Sequence, residues 1–183
     1  RKMSQELNID FYDRDIVEEV SKRMGLPVPT ISDAEEKASN YFSRRFPLGN
    51  VTTELQDQIF HVQQDIIRNL AAKESCIIVG KCADDILRNY SNVISVYIEA
   101  PRAACVKSIM DKMHVSEKRA NYLIHTTDKY RAKYYSYYTS GKDWTNPTNY
   151  DLVLNSDRIG REKCVQLIQE YIKIRFPEKT VSE

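Results

Sequence analysis

The chain reads as an α/β protein, a parallel sheet with helices on both faces. Three observations carry that reading. Cys76–Val79 is an unbroken apolar run, too short for a helix and bounded by Gly80, the pattern of a strand buried on both faces. Two further runs of strand character, Val93–Ile98 and Tyr150–Leu154, occur later in the chain. Each of the three is followed by helical spacing of apolar residues, and no repeat or linker interrupts the alternation.

Taken in order, Arg1–Leu7 reads as the last turns of a helix, with Met3 and Leu7 four apart. Ile9–Tyr12 is a short strand. Asp13 stands at the N-cap position of a helix with Ile16, Val17, Val20 and Met24 on one side, closed by Gly25. Leu26–Asn50 is the least regular stretch, with Pro27, Pro29 and Pro47, and with Arg44 and Arg45 beside Tyr41, Phe42 and Phe46. It reads equally as a flap or as a surface loop pinned by its aromatics. Thr53 and Gln56 form a capping box for a long helix through Leu55, Ile59, Val62, Ile66 and Leu70. Pro101 suits the first turn of a helix with Val106, Ile109, Met110 and Met113 inward, and Ser116 caps the next. Asn155–Gly160 reads as a loop, and Val165, Ile168, Tyr171 and Ile172 mark a closing helix ended by Pro177.

The 183 residues suit one domain. Basic residues number 27 and acidic residues 26, a net charge of +1, so nothing draws the whole chain to nucleic acid or membrane and any anion site must come from local clustering. Cys76, Cys82, Cys105 and Cys164 show no C-x-x-C spacing and read as free thiols of a reducing compartment. Neither a membrane-spanning run nor a signal-peptide pattern is seen, which makes the cytoplasm the expected location.

Local clustering is found after the strands, at the ends where open parallel sheets bind ligands. Gly80, Lys81, Asp84 and Asp85 follow the central apolar run, and Asp13, Arg14 and Asp15 follow the first strand. Each group is also explained as a solvated turn or a plain helix cap. The densest cationic segment is Lys129, Arg131 and Lys133, interleaved with Tyr130, Tyr134, Tyr135, Tyr137 and Tyr138. Lys129 and Lys133 share a helix face and repel unless an anion lies between them. Phosphate suits both the fork of arginine and the point charge of lysine. The tyrosines read as core or as a stacking surface for a base, core being preferred. His61, His114 and His125 are scattered and none reads as a metal ligand.

With these segments placed, the chain resembles the cytidylate kinase-like family of nucleoside monophosphate kinases. The matching stretches are Phe-Tyr-Asp-Arg-Asp-Ile-Val (11–17), Cys-Ile-Ile-Val-Gly-Lys-Cys-Ala-Asp-Asp-Ile-Leu (76–87), Asp-Lys-Tyr-Arg-Ala-Lys-Tyr-Tyr-Ser-Tyr-Tyr (128–138) and Asn-Tyr-Asp-Leu-Val-Leu-Asn-Ser (149–156). The resemblance implies a three-layer P-loop NTPase-like fold, with residues 1–183 as one kinase-like domain, a flap at 26–50 and a helical lid at about 116–146. It implies a nucleotide kinase that moves the γ-phosphoryl of ATP, with Mg²⁺, to a small nucleotide such as cytidylate. Asp13, Arg14, Lys81 and Asp84 become acceptor-binding candidates, and Lys129, Arg131 and Lys133 catalytic lid candidates. No protein-held metal, nucleic acid or membrane is implied, and a homo-oligomer is compatible.

Two departures accompany the resemblance. Lys81 stands where the family commonly has arginine and lacks the bidentate fork. The phosphate-binding G-x-x-x-x-G-K-[ST] loop is absent, the five glycines at 25, 49, 80, 141 and 160 being far apart. The expectation is that a strand, loop and partial helix of roughly twenty residues precede Arg1. The alternative is a nucleotide-binding or regulatory protein of the same fold without turnover; a third is a structural oligomer joined through the tyrosine segment.

Overall fold

Two pairs of parallel strands form the β-structure of the computed structural model, which describes residues 1–37 and 53–177. The elements run α1 (Lys2–Leu7), β1 (Asp10–Tyr12), α2 (Arg14–Met24), α3 (Val28–Lys37), α4 (Thr53–Lys73), β2 (Cys76–Ile78), α5 (Ala83–Ile86), β3 (Val96–Glu99), α6 (Arg102–Met113), α7 (Glu117–Tyr138), β4 (Leu152–Asn155) and α8 (Ser156–Arg175). They divide between two units, Met3–Tyr90 with Thr127–Trp144, and Ser91–Thr126 with the chain from Thr145 onward.

In the first unit β1 and β2 pair in parallel, Asp10 beside Cys76, Phe11 beside Ile77 and Tyr12 beside Ile78. The Val79 N–H adds a last bond of 3.0 Å to the Tyr12 carbonyl. The described part of the crossover between them is helical, formed by α2, α3 and α4, as is usual for a parallel pair. Ile16, Val17 and Val20 of α2 are buried, as are Ile31 of α3 and Ile59, Phe60, Ile66 and Ile67 of α4. Ile16, Val17 and Val20 match the stripe expected of α2; on α4, Ile59 and Ile66 are buried as expected, Leu55, Val62 and Leu70 only half-buried, and Phe60, Gln63 and Ile67 are buried beside them.

Several expectations are corrected here. Leu26–Asn50 is not irregular from its start, because Val28–Lys37 is helical. Pro27 and Pro29 fall before and within the first turn, where no intrahelical N–H is needed, and the Pro27 carbonyl accepts from the Thr30 N–H at 2.9 Å. Arg44, Arg45 and the aromatics around them lie outside the described residues. Cys76–Val79 was expected to be buried on both faces, whereas Cys76, Ile77 and Ile78 are half-buried and Val79 is 43% exposed. Among the described residues β2 has one strand neighbour, so nothing covers it as the interior strand of a wide sheet would be covered.

In the second unit β3 and β4 pair from Val96 beside Leu152 to Glu99 beside Asn155. The ladder begins at Val96 rather than Val93; just before it the Ser95 carbonyl accepts the Asp151 and Leu152 N–H groups at 2.9 and 3.2 Å, and side chains add to these. Asp151 Oδ2 accepts from both the N–H and the hydroxyl of Ser95, at 2.7 and 2.9 Å. Asn155–Gly160, expected to be a loop, opens α8 instead. Asn155 Oδ1 caps it by accepting from the Asp157 and Arg158 N–H groups at 3.1 and 3.2 Å. The helix is interrupted at Gly160 (φ 78°, ψ 157°), a backbone conformation open in practice to glycine alone.

That interruption is testable by Gly160→Ala. A methyl group there meets no atom within 4 Å, so the penalty is conformational only. The variant should lose about 1–3 kcal/mol, read as a lower thermal midpoint with unchanged helical circular dichroism. An equal midpoint would mean that α8 runs unbroken through this position.

Candidate functional site

The parallel register delivers two charged segments to one place. Because Tyr12 pairs with Ile78, the chain leaves β1 and β2 side by side at their carboxyl ends, Asp13 and Arg14 from one strand and Gly80 and Lys81 from the other. Asp13, Arg14 and Asp15 are all exposed. Asp13 occupies the N-cap position of α2, but its side chain makes no capping hydrogen bond. The capping expectation is therefore met in position and not in contact: at φ −136°, ψ −85° the residue lies outside the extended conformation from which such side chains usually cap.

Gly80, Lys81 and Cys82 follow β2 with φ of 71°, 57° and 55°, three left-handed residues in succession. The Ala83 N–H closes this turn on the Gly80 carbonyl at 3.0 Å. Two of the three residues carry a Cβ and resist the conformation, at a cost of about 1–2 kcal/mol each. Burial of Cys82 in a cluster with Phe60 and Tyr135 opposes that cost. The same burial pushes the Cys82 thiol well above its ordinary pKa, leaving it protonated and unreactive. The turn aims the short helix α5 and its two carboxylates.

Both carboxylates are partnered. The Tyr135 hydroxyl donates to Asp84 Oδ2 at 2.6 Å. Asp85 Oδ1 takes the Lys142 ammonium and lies 3.8 Å from the Arg88 guanidinium. Neither reads as merely solvated any longer. Burial holds the Asp84 carboxyl above its ordinary pKa, opposed by the Tyr135 hydrogen bond and by the backbone N–H groups of Asp84 and Asp85.

The tyrosine segment of α7 packs as core. The Tyr134 hydroxyl donates to Gln63 Oε1 of α4 at 2.9 Å, and the Tyr138 hydroxyl to Asp57 Oδ1 at 3.2 Å. Tyr138 stacks on Phe60 with ring centroids 3.8 Å apart. Tyr137 faces out, 59% exposed. At 100° per residue, Arg131, Tyr134, Tyr135 and Tyr138 share an arc of about 100°, while Lys129 and Lys133 lie on the other side of the helix. The three cations thus divide: Arg131 belongs to the tyrosine face, with its guanidinium 6.0 Å from the centre of the Trp144 ring.

Sequence reasoning missed Tyr135 as the partner of Asp84, Lys142 as the partner of Asp85, and Trp144 beside Arg131. Spacing at 131, 134, 135 and 138 signals one helix face, but nothing in it says which carboxylate 51 residues away that face meets.

Open parallel sheets bind ligands beyond the carboxyl ends of their strands, which is where these charged side chains lie. The model of the cytidylate kinase-like family matches residues 1–158, and the chain belongs to that family. No curated protein matches it. Among solved structures, the crystal structure of an uncharacterized protein from Eubacterium ventriosum ATCC 27560 is similar, with a TM-score of 0.69 at 26% identity over 94% of this chain and 87% of that one.

Asp84 supplies a pH test. Its raised pKa means that the folded state holds this proton more tightly than the unfolded chain. The associated stability is complete below the unfolded-state pKa and is lost as pH rises through the folded-state value. In Asp84→Asn that loss disappears, so the thermal midpoint of the variant relative to the parent should rise between pH 4 and pH 7. A difference that falls over this interval would mean that the parent's charged Asp84 is stabilised in the fold.

Proposed function

We propose that the chain acts as an ATP-dependent phosphotransferase on a nucleoside monophosphate or similar small acceptor, within a three-layer P-loop NTPase-like fold. The family supports a nucleotide kinase-like role. The observation that carries the finer reading is the β1–β2 register, which sets Asp13 and Arg14 beside Gly80 and Lys81. The Tyr135–Asp84 hydrogen bond ties the helix bearing Arg131 to the segment that follows.

In this reading Arg14 and Lys81 attract the acceptor's phosphate, and Asp13 and Asp84 accept hydrogen bonds from its sugar or base. Arg131 then stabilises charge on the phosphoryl group in flight, and Lys129 and Lys133 add positive potential. Such transfer depends on positioning and charge stabilisation, so no nucleophilic side chain is required. The α7 segment over the phosphates would exclude water, the competing acceptor. Mg²⁺ would be carried by the nucleotide phosphates. The triphosphate would be met by Arg131, with the ion lowering its charge.

A nucleotide-binding protein of the same fold without turnover is the second reading, favoured by Lys81, whose ammonium lacks the bidentate fork of an arginine. A panel of nucleoside monophosphates with Mg-ATP separates the two. Turnover of one acceptor, lowered by about 10²-fold in Arg131→Ala, supports the kinase. ATP binding by calorimetry with no turnover supports the second reading, and unchanged kcat in Arg131→Ala removes Arg131 from the chemistry.

A further inference from the structure

We infer that Tyr135 is a positioning residue for Arg131, acting through its hydrogen bond to Asp84; the inference rests on the proposed role of Arg131 in phosphoryl transfer. Arg131 and Tyr135 are separated by one helical turn and stand on one face of α7. Arg131 is exposed, whereas Tyr135 is 7% exposed and packs with Phe60 and Cys82. An exposed arginine has many rotamers, and its placement over a reacting phosphate depends on how firmly the helix beneath it is held.

Tyr135 does that holding. Its hydroxyl donates to Asp84 at 2.6 Å, and its carbonyl accepts the Thr139 hydroxyl at 2.6 Å. Lys142, beyond the end of α7, binds the neighbouring carboxylate Asp85. The four-residue helix α5 therefore anchors this segment at two successive residues. Because α5 is itself aimed by the left-handed turn 80–82, one rigid path runs from the carboxyl end of β2 through Asp84 and Tyr135 to Arg131. Trp144 closes the arrangement. It packs against the Phe60–Cys82–Tyr135 cluster and carries the Arg131 guanidinium near its ring.

The mere loss of a buried hydrogen bond would lower stability without selecting a kinetic parameter. A positioning role makes a narrower demand: kcat falls while KM stays, because Arg131 acts on the transition state and not on ground-state binding. Trp144 is the single tryptophan of the chain, so its fluorescence reports the seat of Arg131 without any assay of activity.

The experiment compares Tyr135→Phe with Tyr134→Phe, which removes the neighbouring hydroxyl from Gln63, and with Arg131→Ala, which defines the Trp144 signal of an empty seat. In Tyr135→Phe, kcat should fall about tenfold, with KM for ATP and for the acceptor within about twofold of the parent. Acrylamide quenching of Trp144 should move toward that of Arg131→Ala. Tyr134→Phe should leave both readouts near the parent's. Parent-like kcat and quenching in Tyr135→Phe would overturn the inference. So would a raised acceptor KM at constant kcat, which would mean that Tyr135 serves acceptor binding through Asp84 and does not seat Arg131, and so would equal losses in both phenylalanine variants. If the parent turns over no acceptor, the phosphotransferase reading falls by itself. The quenching comparison then decides alone whether Tyr135 seats Arg131.

Discussion

A phenol donating to a half-buried carboxylate is the contact on which the first unit depends. Three tyrosines of α7 reach acceptors on other elements, Gln63 and Asp57 of α4 and Asp84 of α5. From Thr127 to Tyr138, α7 has little that is purely aliphatic to bury. It docks instead with rings that are apolar at the body and polar at the tip, and each tip must find a partner once the ring is covered. Asp84 is the most consequential of these partners. It sits just beyond a strand end and a strained turn, so the same hydrogen bond that satisfies a tyrosine fixes the position of a charged helix.

Parallel pairing supplies the other half of the arrangement. In an antiparallel hairpin the segments leaving two adjacent strands lie at opposite ends. In the parallel β1–β2 pair they emerge together. Asp13–Arg14 and Gly80–Lys81, nearly seventy residues apart in sequence, become neighbours for that reason alone. The contact needs no attraction between them.

Much of this was legible beforehand. The apolar spacing of α2 and α4 located the buried stripes, and the short run at Cys76 located β2. The tyrosines' preference for the core showed in their helical spacing. Where reading failed, one local rule was overridden by another. Pro27 and Pro29 suggested irregular chain, yet both fall where a helix tolerates proline. Asn155–Gly160 was rich in loop-forming residues, yet Asn155 used that chemistry to start a helix. The pairings Tyr135–Asp84 and Lys142–Asp85 were illegible because they depend on how distant elements pack, which residue spacing along one helix does not encode.

The left-handed turn at 80–82 bears on how this position can vary over time. Lys81 and Cys82 hold positive φ, which β-branched side chains adopt only at severe expense. Valine, isoleucine and threonine are thereby shut out of a place beside the proposed acceptor, whatever advantage their shape would bring. Glycine, asparagine and unbranched polar residues stay admissible. Descendants of this chain can retune the charge and reach of residue 81 by single substitutions, but cannot readily line that corner with a branched apolar wall.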